Sequence, residues 1–182
     1  MLIYLSTNRG SLHYAAKNSD NKTNYYNLIY YNFIVAESNP DVLFDYLGPK
    51  IKLDINRAQR DPKGVSKIYA WSWSYLAEAC IEGYKHTGNQ DFLDLFVNSF
   101  DIIQNQTDVH RNKTDYLRGR PLYTWGYEME LTNQSDAMTY NMRIIYPVLK
   151  FSQIILNNQK LKEKYGKKAS EYLNISERKG CA

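Results

Sequence analysis

The residues best suited to chemistry in this chain are aromatic and charged side chains at helical spacing. In the stretch YAWSWSYLAEACIEGYKHTGNQDFL, residues 69 to 93, Trp71, Tyr75 and Glu78 are four and three residues apart, and Glu82 follows one turn later. Side chains at this spacing share one side of a helix. Aromatic faces stack on flat apolar groups, and carboxylates accept hydrogen bonds from hydroxyl groups. The pattern predicts a surface for a flat, hydroxylated ligand such as a sugar. The alternative is structural, with the aromatic rings in the core and the glutamates reaching solvent.

A second set of candidate residues follows in residues 106–143. Paired carboxylates serve as acid and base or nucleophile in glycoside hydrolysis, whereas Tyr or His beside Arg suits a lyase acting on a uronate. The candidates for proton transfer are Glu128, Asp136, His110 and Tyr140. The candidates for substrate binding are Trp71, Tyr75, Glu78, Arg118, Trp125 and Arg143. For the loop histidine the alternative is simple exposure to solvent, and for Asp136, Tyr140 and Arg143 it is a helix cap followed by a local Tyr–Arg contact.

The elements that must position these residues are predicted to be helices. Helical patterns cover residues 23–38, 66–86, 90–105, 135–156 and 159–173, with Gly88 as a left-handed cap. Residues 41–47 predict one or two further turns that Gly48 and Pro49 close, followed by a polar connector with turn residues at DPKG. Strand-like pieces are limited to LIYLS and IKLDI, and residues 106–133 predict a long functional loop. The apolar face of the helix after this loop is predicted to contain Met138, Met142, Ile145, Leu149 and Ile155, with Pro147 inside the helix. The fold class is therefore all-α, with antiparallel helical hairpins in a single domain, residues 1–182.

Composition excludes several other classes of protein. The 182 residues are 43% hydrophobic and 23% charged, as in soluble globular proteins. The net charge is +4 but no basic stripe accompanies a nucleic-acid-binding motif, so no nucleic-acid partner is expected. No apolar run is long enough to span a membrane. Three His without HxxxH or CxxC spacing, and no P-loop or dinucleotide fingerprint, predict neither metal nor cofactor.

The chain resembles a known group of enzymes in two segments. AWSWSYLAEACIEGYKHTGNQDFLDLFVNSFDIIQNQTD resembles the hairpin unit of the (α/α) toroid, six-hairpin-like carbohydrate-active enzymes, in which an aromatic inner helix ends in a Y…TG(N/D) turn before an outer helix. SDAMTYNMRIIYPVLKFSQIIL is similar to their later inner helices. The superfamily includes unsaturated glucuronyl hydrolases, polysaccharide lyases and the C-terminal domain of glucuronyl epimerases. Complete toroids contain more helices than this chain supplies, so the resemblance implies part of an (α/α) toroid.

Function follows from the residues and the resemblance together. We expect a protein that processes or binds an oligosaccharide or polysaccharide, with a glycoside hydrolase or lyase acting on an acidic glycan as the enzymatic form. The alternatives are a non-catalytic helical-repeat module that binds a protein, and an inactive fragment. The N-terminal MLIYLSTNRGS is unlike a secretion signal, which predicts a cytoplasmic protein, or a secreted or periplasmic one if a longer precursor exists. The oligomeric state stays open.

Overall fold

The computed structural model describes residues 40–129, 132–135 and 138–180, which are mainly helical. Five long helices supply the framework. They are α1 (Pro40–Arg60), α2 (residues 65–87), α3 (Asp91–Gln104), α5 (Met138–Leu156) and α6 (Gln159–Gly180). The other described elements are a 3₁₀ turn (Pro62–Gly64), a short helix, α4 (Asp108–Arg111), and a two-stranded antiparallel sheet, β1 (Tyr127–Met129) and β2 (Thr132–Ser135). The all-α prediction is confirmed for the long elements, whereas the predicted helix at residues 23–38 lies outside the described residues.

The observed boundaries of helix α1 differ from those predicted from the sequence. The chain was expected to leave the helix at Gly48 and Pro49, but the helix continues through both residues to Arg60. The IKLDI segment is therefore helical, and the predicted strand is wrong there. The physical reason is a stripe of buried apolar residues that repeats every three or four positions and outweighs the missing N–H of one proline. This stripe consists of Leu43, Leu47, Ile51, Ile55 and Ala58. The predicted break at DPKG is confirmed as a 3₁₀ turn over Pro62–Gly64.

Helices α2 and α3 form the predicted antiparallel hairpin. Gly88 ends α2 with φ 72°, in the left-handed region that glycine adopts without strain, and its N–H donates to the carbonyl of Tyr84. The two helices approach closely because Gly83 lacks a Cβ: a methyl group there would lie 2.8 Å from the Phe92 ring. Helix α2 also contains a π-helical turn, Tyr69–Trp73, between α-helical segments Val65–Ile68 and Ser74–Thr87. No sequence pattern indicated this turn.

The segment predicted as a long loop is more ordered than expected. It contains α4, a bridge between Asp115 and Arg120, and the β1–β2 hairpin. Backbone N–H groups of Asp108 and Val109 donate to the carbonyls of Thr124 and Leu122, which holds the segment against itself. The sequence did not predict these pairings, because main-chain hydrogen bonds produce no pattern of side chains.

Helices α5 and α6 form a second hairpin. Asn158 caps α6, since its Oδ1 accepts hydrogen bonds from the N–H groups of Lys160 and Leu161. The predicted apolar face of α5 is wrong at Met138, Met142 and Leu149, which are exposed. The face that packs in the core is rotated from the predicted one and includes polar residues. It consists of Asn141, Ile144, Ile145, Pro147, Val148, Phe151, Ser152 and Ile155.

Side-chain contacts show that α2 and α5 run parallel. Trp71 of α2 contacts Tyr140 of α5. Two turns later along α2, Glu78 pairs with Lys150 of α5. Residue numbers rise together along both helices, so these two helices form a parallel pair, which we call the first layer.

The second layer contains the partner helices of both hairpins. The Tyr165 hydroxyl donates to Asp94 at 2.8 Å, and seven residues further along both helices the Tyr172 hydroxyl donates to Asp101 at 2.7 Å. Helices α3 and α6 are therefore parallel as well. Each hairpin crosses from the first layer to the second.

Helix α1 belongs with the second layer by its direction. The Phe44 ring packs edge-on against Phe92, which lies over Gly83 near the end of α2. Asp54, ten residues later, accepts a hydrogen bond from Ser72 near the beginning of α2. Helix α1 is thus antiparallel to α2 and runs in the same direction as α3 and α6.

Candidate functional site

The candidate site is a surface on the first layer, where α2 and α5 lie side by side. Five predicted site residues come together there, and two that the sequence reading missed join them. We call this set the Trp71 surface. It consists of Trp71, Tyr75 and Glu78 from α2 and Tyr140, Arg143, Tyr146 and Lys150 from α5.

Trp71 is the most distinctive member of this surface. Its side chain is 44% exposed, although its neighbours Tyr69 and Trp73 in the π-helical turn are fully buried. The Tyr140 ring meets it edge-on, with ring centroids 6.1 Å apart and planes at 81°. An exposed indole beside a phenol ring offers both an apolar face and a hydroxyl group.

Two side-chain hydrogen bonds anchor the π-helical turn that contains Trp71. The Ser72 hydroxyl donates to Asp54 of α1, and the Tyr69 hydroxyl donates to Gln106. Burial raises the pKa of Asp54, and this effect exceeds the opposing effects of the Ser72 hydrogen bond and of the nearby cations. These two hydrogen bonds come from residues on either side of Trp71, so they hold the π-helical turn in place. π-Helical turns are frequent at functional sites.

The charged part of the surface centres on Glu78. Arg143 Nη2 lies 3.2 Å from Glu78 Oε1, and Lys150 Nζ lies 3.3 Å from Glu78 Oε2. The guanidinium of Arg143 also stacks 4.1 Å above the Tyr75 ring, and Lys150 Nζ lies 4.6 Å from the Tyr146 ring. All three charged side chains remain partly exposed, so water screens their interactions.

Lys150 stays a cation at neutral pH. Partial burial lowers the pKa of Lys150, but hydrogen bonds with Tyr146 and Glu78 raise it by more, so the net pKa lies above its ordinary value. Arg143 is a second cation beside the single carboxylate of Glu78, so basic groups outnumber acidic ones on this surface. The surface therefore favours ligands with hydroxyl groups and a negative charge.

Two other predicted site residues, His110 and Arg118, lie apart from these contacts. His110 is exposed, with its Nδ1 2.7 Å from the Thr107 hydroxyl. Arg118 is partly exposed and pairs with Asp115 at 3.3 Å. Glu128 lies in β1 opposite Gln134, and Asp136 lies outside the described residues. No described contact joins His110 or Arg118 to the Trp71 surface.

The prediction that Trp125 stacks on a ligand is wrong. Its side chain is fully buried in the core, with its indole N–H donating to the Ile103 carbonyl at 2.8 Å. Its backbone N–H donates to Asn141 Oδ1 at 2.8 Å, which explains why a polar residue occupies the buried face of α5. The sequence could not distinguish a loop tryptophan from a core one.

Tyr146 and Lys150 were missed although a signal was present. They follow Arg143 by three and seven residues, which extends the Tyr140–Arg143 stripe along α5. The predicted stripe on α2 also included Glu82, which instead pairs with Lys85 at 2.8 Å.

Comparison of the chain with protein-family models, curated proteins and solved structures found no match. Within residues 40–129, 132–135 and 138–180, no group of three or more His, Cys, Asp or Glu side chains is placed to hold a metal ion. The same part of the chain contains no helix that is long and apolar enough to cross a membrane.

Proposed function

We propose that the chain binds an oligosaccharide on the Trp71 surface. The observation that carries this proposal is the half-exposed indole of Trp71 beside the Tyr140 ring, on a helix whose other large side chains are mostly buried. Sugar rings present flat C–H faces that pack on aromatic rings, and hydroxyl groups that bond to charged and phenolic groups.

The charge of the surface supports an acidic glycan as the ligand. Arg143 and Lys150 supply two cations against the single carboxylate of Glu78. A uronate carboxylate would accept hydrogen bonds from the guanidinium that Tyr75 already holds in place. Since these groups are partly exposed, we expect binding to weaken as ionic strength rises.

The architecture supports a place among (α/α) toroids. Parallel first-layer helices, parallel second-layer helices and antiparallel hairpins between the layers are the arrangement that the resemblance implies. The sugar would lie on the first layer, which in such a ring faces the lumen. The described helices supply two such hairpins and the second-layer helix α1. We therefore propose that the chain forms part of such a ring.

The described geometry fits a protein that binds a sugar better than an enzyme that cleaves one. Among the side chains that the structure describes, Glu78 is the single carboxylate on the Trp71 surface, and both of its oxygens face cations. Hydrolysis by a carboxylate pair needs a second acidic group, and elimination needs a base beside the sugar. Tyr140 is the remaining proton-transfer candidate on this surface, while roles for His110, Glu128 and Asp136 stay predictions.

Calorimetric titration with neutral and uronate-containing oligosaccharides tests the proposal. We expect saturable binding by the natural chain and a loss of at least about 1 kcal/mol in binding free energy for Trp71→Ala, because the variant removes the aromatic face on which the sugar would pack. Tyr116→Ala is the matched control, because Tyr116 is also an exposed aromatic residue but lies in the loop before Arg118. Equal affinities in both variants would contradict the proposed site. Product assays for hydrolysis and for unsaturated sugars, run on any ligand that binds, separate binding from catalysis.

A non-catalytic module that binds a protein is the second candidate. It predicts an exposed apolar surface and no response to glycans. One observation favours it: an exposed stripe of large apolar side chains on α5, a geometry that suits an amphipathic helix as partner. This stripe consists of Met138, Met142, Tyr146 and Leu149. A chain that binds no glycan, and whose association with a protein is lost in Met142→Asp, would favour this candidate.

A further inference from the structure

The segment that follows α4 exposes large apolar and basic side chains together. Leu117 is 72% exposed, and its neighbour Tyr116 is 56% exposed. The exposed cations of the segment are Lys113, Arg118 and Arg120. Asp115 is the single acidic residue in residues 112–121, all of which the structure describes, and it is fully buried. We call residues 112–121 the basic turn, because its exposed side chains include cations but no carboxylate.

Hydrogen bonds close the basic turn into a defined shape. The Asp115 N–H donates to the Arg120 carbonyl at 3.0 Å, and the Gly119 N–H donates to the Asp115 carbonyl at 2.9 Å. Asp115 Oδ1 also accepts a hydrogen bond from the Arg118 N–H at 2.8 Å. Gly119 has φ 64°, a left-handed conformation that glycine adopts without strain. The two exposed apolar residues lie between these bonded positions, so they occupy the tip of a closed turn.

The chain on either side of the basic turn is tied to the beginnings of the first-layer helices. Gln106 accepts a hydrogen bond from the Tyr69 hydroxyl of α2, and the Trp125 N–H donates to Asn141 of α5. The basic turn therefore belongs to the end of the first layer at which α2 and α5 begin. An apolar tip on an anchored, basic turn is a surface suited to a partner with negative charge and an apolar interior.

We propose that the basic turn docks the chain on an anionic lipid surface. Leu117 and Tyr116 enter the headgroup region, where an apolar side chain leaves water and a phenol ring keeps its hydroxyl hydrated. The cations around the tip meet the anionic headgroups, while their apolar stems lie along the interface.

Two observations favour a lipid surface over other anionic partners. An exposed tip offers neither the groove nor the sheet edge in which an acidic peptide would bind. The most exposed side chain is Leu117, whereas a single-stranded nucleic acid stacks its bases on aromatic rings. The inference does not depend on a sugar ligand at the Trp71 surface.

Co-sedimentation of the whole chain with lipid vesicles tests the proposal. We expect binding to phosphatidylcholine vesicles that contain about 30% phosphatidylserine, and binding at least about tenfold weaker to phosphatidylcholine alone. Binding to the anionic vesicles should weaken as ionic strength rises. Leu117→Asp should weaken it at least about tenfold, because the variant replaces an inserted apolar side chain with a repelled charge. Leu53→Asp is the matched control, since Leu53 is a half-exposed leucine of α1, and it should stay within about twofold of the natural chain.

A charge variant tests the basic part of the turn separately. Lys113→Gln should weaken binding to the anionic vesicles about fivefold, which is the contribution of one cation near such a surface. Lys160→Gln is its control, because Lys160 is exposed near the beginning of α6, at the opposite end of the α5–α6 hairpin. This variant should stay within about twofold of the natural chain.

The other outcomes overturn the proposal. Equal binding to neutral and anionic vesicles, or binding to neither, would contradict it, and these measurements need no variant. Vesicle binding that Leu117→Asp leaves unchanged, while circular dichroism shows a folded chain, would place the contact elsewhere on the molecule. Binding to a single-stranded oligonucleotide but not to anionic vesicles would assign the basic turn to a nucleic acid.

Discussion

The contact between α2 and α3 gives the sharpest test of the hairpin geometry. In Gly83→Ala the new Cβ would lie 2.8–3.1 Å from three atoms of the Phe92 ring. The ring cannot move away easily, because Phe92 is fully buried and packs edge-on against Phe44. Inserting a methyl group into a packed core typically costs about 1–3 kcal/mol. Replacing a helical glycine by alanine contributes about 1 kcal/mol in the opposite direction.

Gly166→Ala separates these two effects. Gly166 also lies inside a helix, but an added Cβ there would meet its nearest neighbour, Lys162, at 3.6 Å, an ordinary contact. This variant should therefore gain stability by about 0.5–1 kcal/mol. Because the helix preference is common to both variants, the difference between them reports the clash with Phe92, about 1–3 kcal/mol.

Urea denaturation followed by circular dichroism measures both variants. We expect Gly83→Ala to unfold at lower urea than Gly166→Ala with similar m-values, and its Tm to be lower by about 2–4 °C for each kcal/mol of difference. Equal stabilities, or a more stable Gly83→Ala, would refute the close packing of α2 on α3.

Two further predictions concern buried ionisable groups. Because burial raises the pKa of Asp54, its folded form holds a proton more tightly than its unfolded form, so stability falls as pH rises from the ordinary carboxyl pKa through the raised value. Asp54→Asn should therefore raise the free energy of unfolding at pH values above the raised pKa and flatten its pH dependence above the ordinary carboxyl pKa; a destabilised variant with an unchanged pH slope would contradict this. Burial also raises the pKa of the Cys80 thiol far above its ordinary value, so in a Cys181→Ser variant Cys80 should resist Ellman's reagent until guanidinium unfolds the chain. Rapid labelling of the folded protein would contradict its complete burial.

The helices were predictable where local signals agreed. Helical periodicity and the Gly88 cap located α2 and α3, and the periodicity located α5 and α6. Local signals failed where tertiary packing decided. The buried stripe of α1 carries the helix through Pro49, and Asn141 enters the core because it accepts a hydrogen bond from the Trp125 backbone. Neither effect is visible in the residues next to those positions.

The candidate site was predictable in part. Spacing along each helix grouped Trp71, Tyr75 and Glu78, and separately grouped Tyr140 with Arg143, but it could not show that the two stripes face each other. That depends on the parallel packing of α2 and α5, which involves contacts about seventy residues apart. The π-helical turn that presents Trp71 also depends on distant partners, Asp54 and Gln106.

We propose that a sugar covers Trp71 when it binds. Tryptophan fluorescence tests this proposal directly. Trp73 and Trp125 are fully buried, so iodide quenching reports mainly on Trp71. Titration with uronate-containing and neutral oligosaccharides at millimolar concentration should reduce iodide quenching in a saturable way. The effect should be lost in Trp71→Ala and retained in Tyr116→Ala. Unchanged quenching of the natural chain across the whole panel would contradict the claim that the Trp71 surface binds carbohydrate.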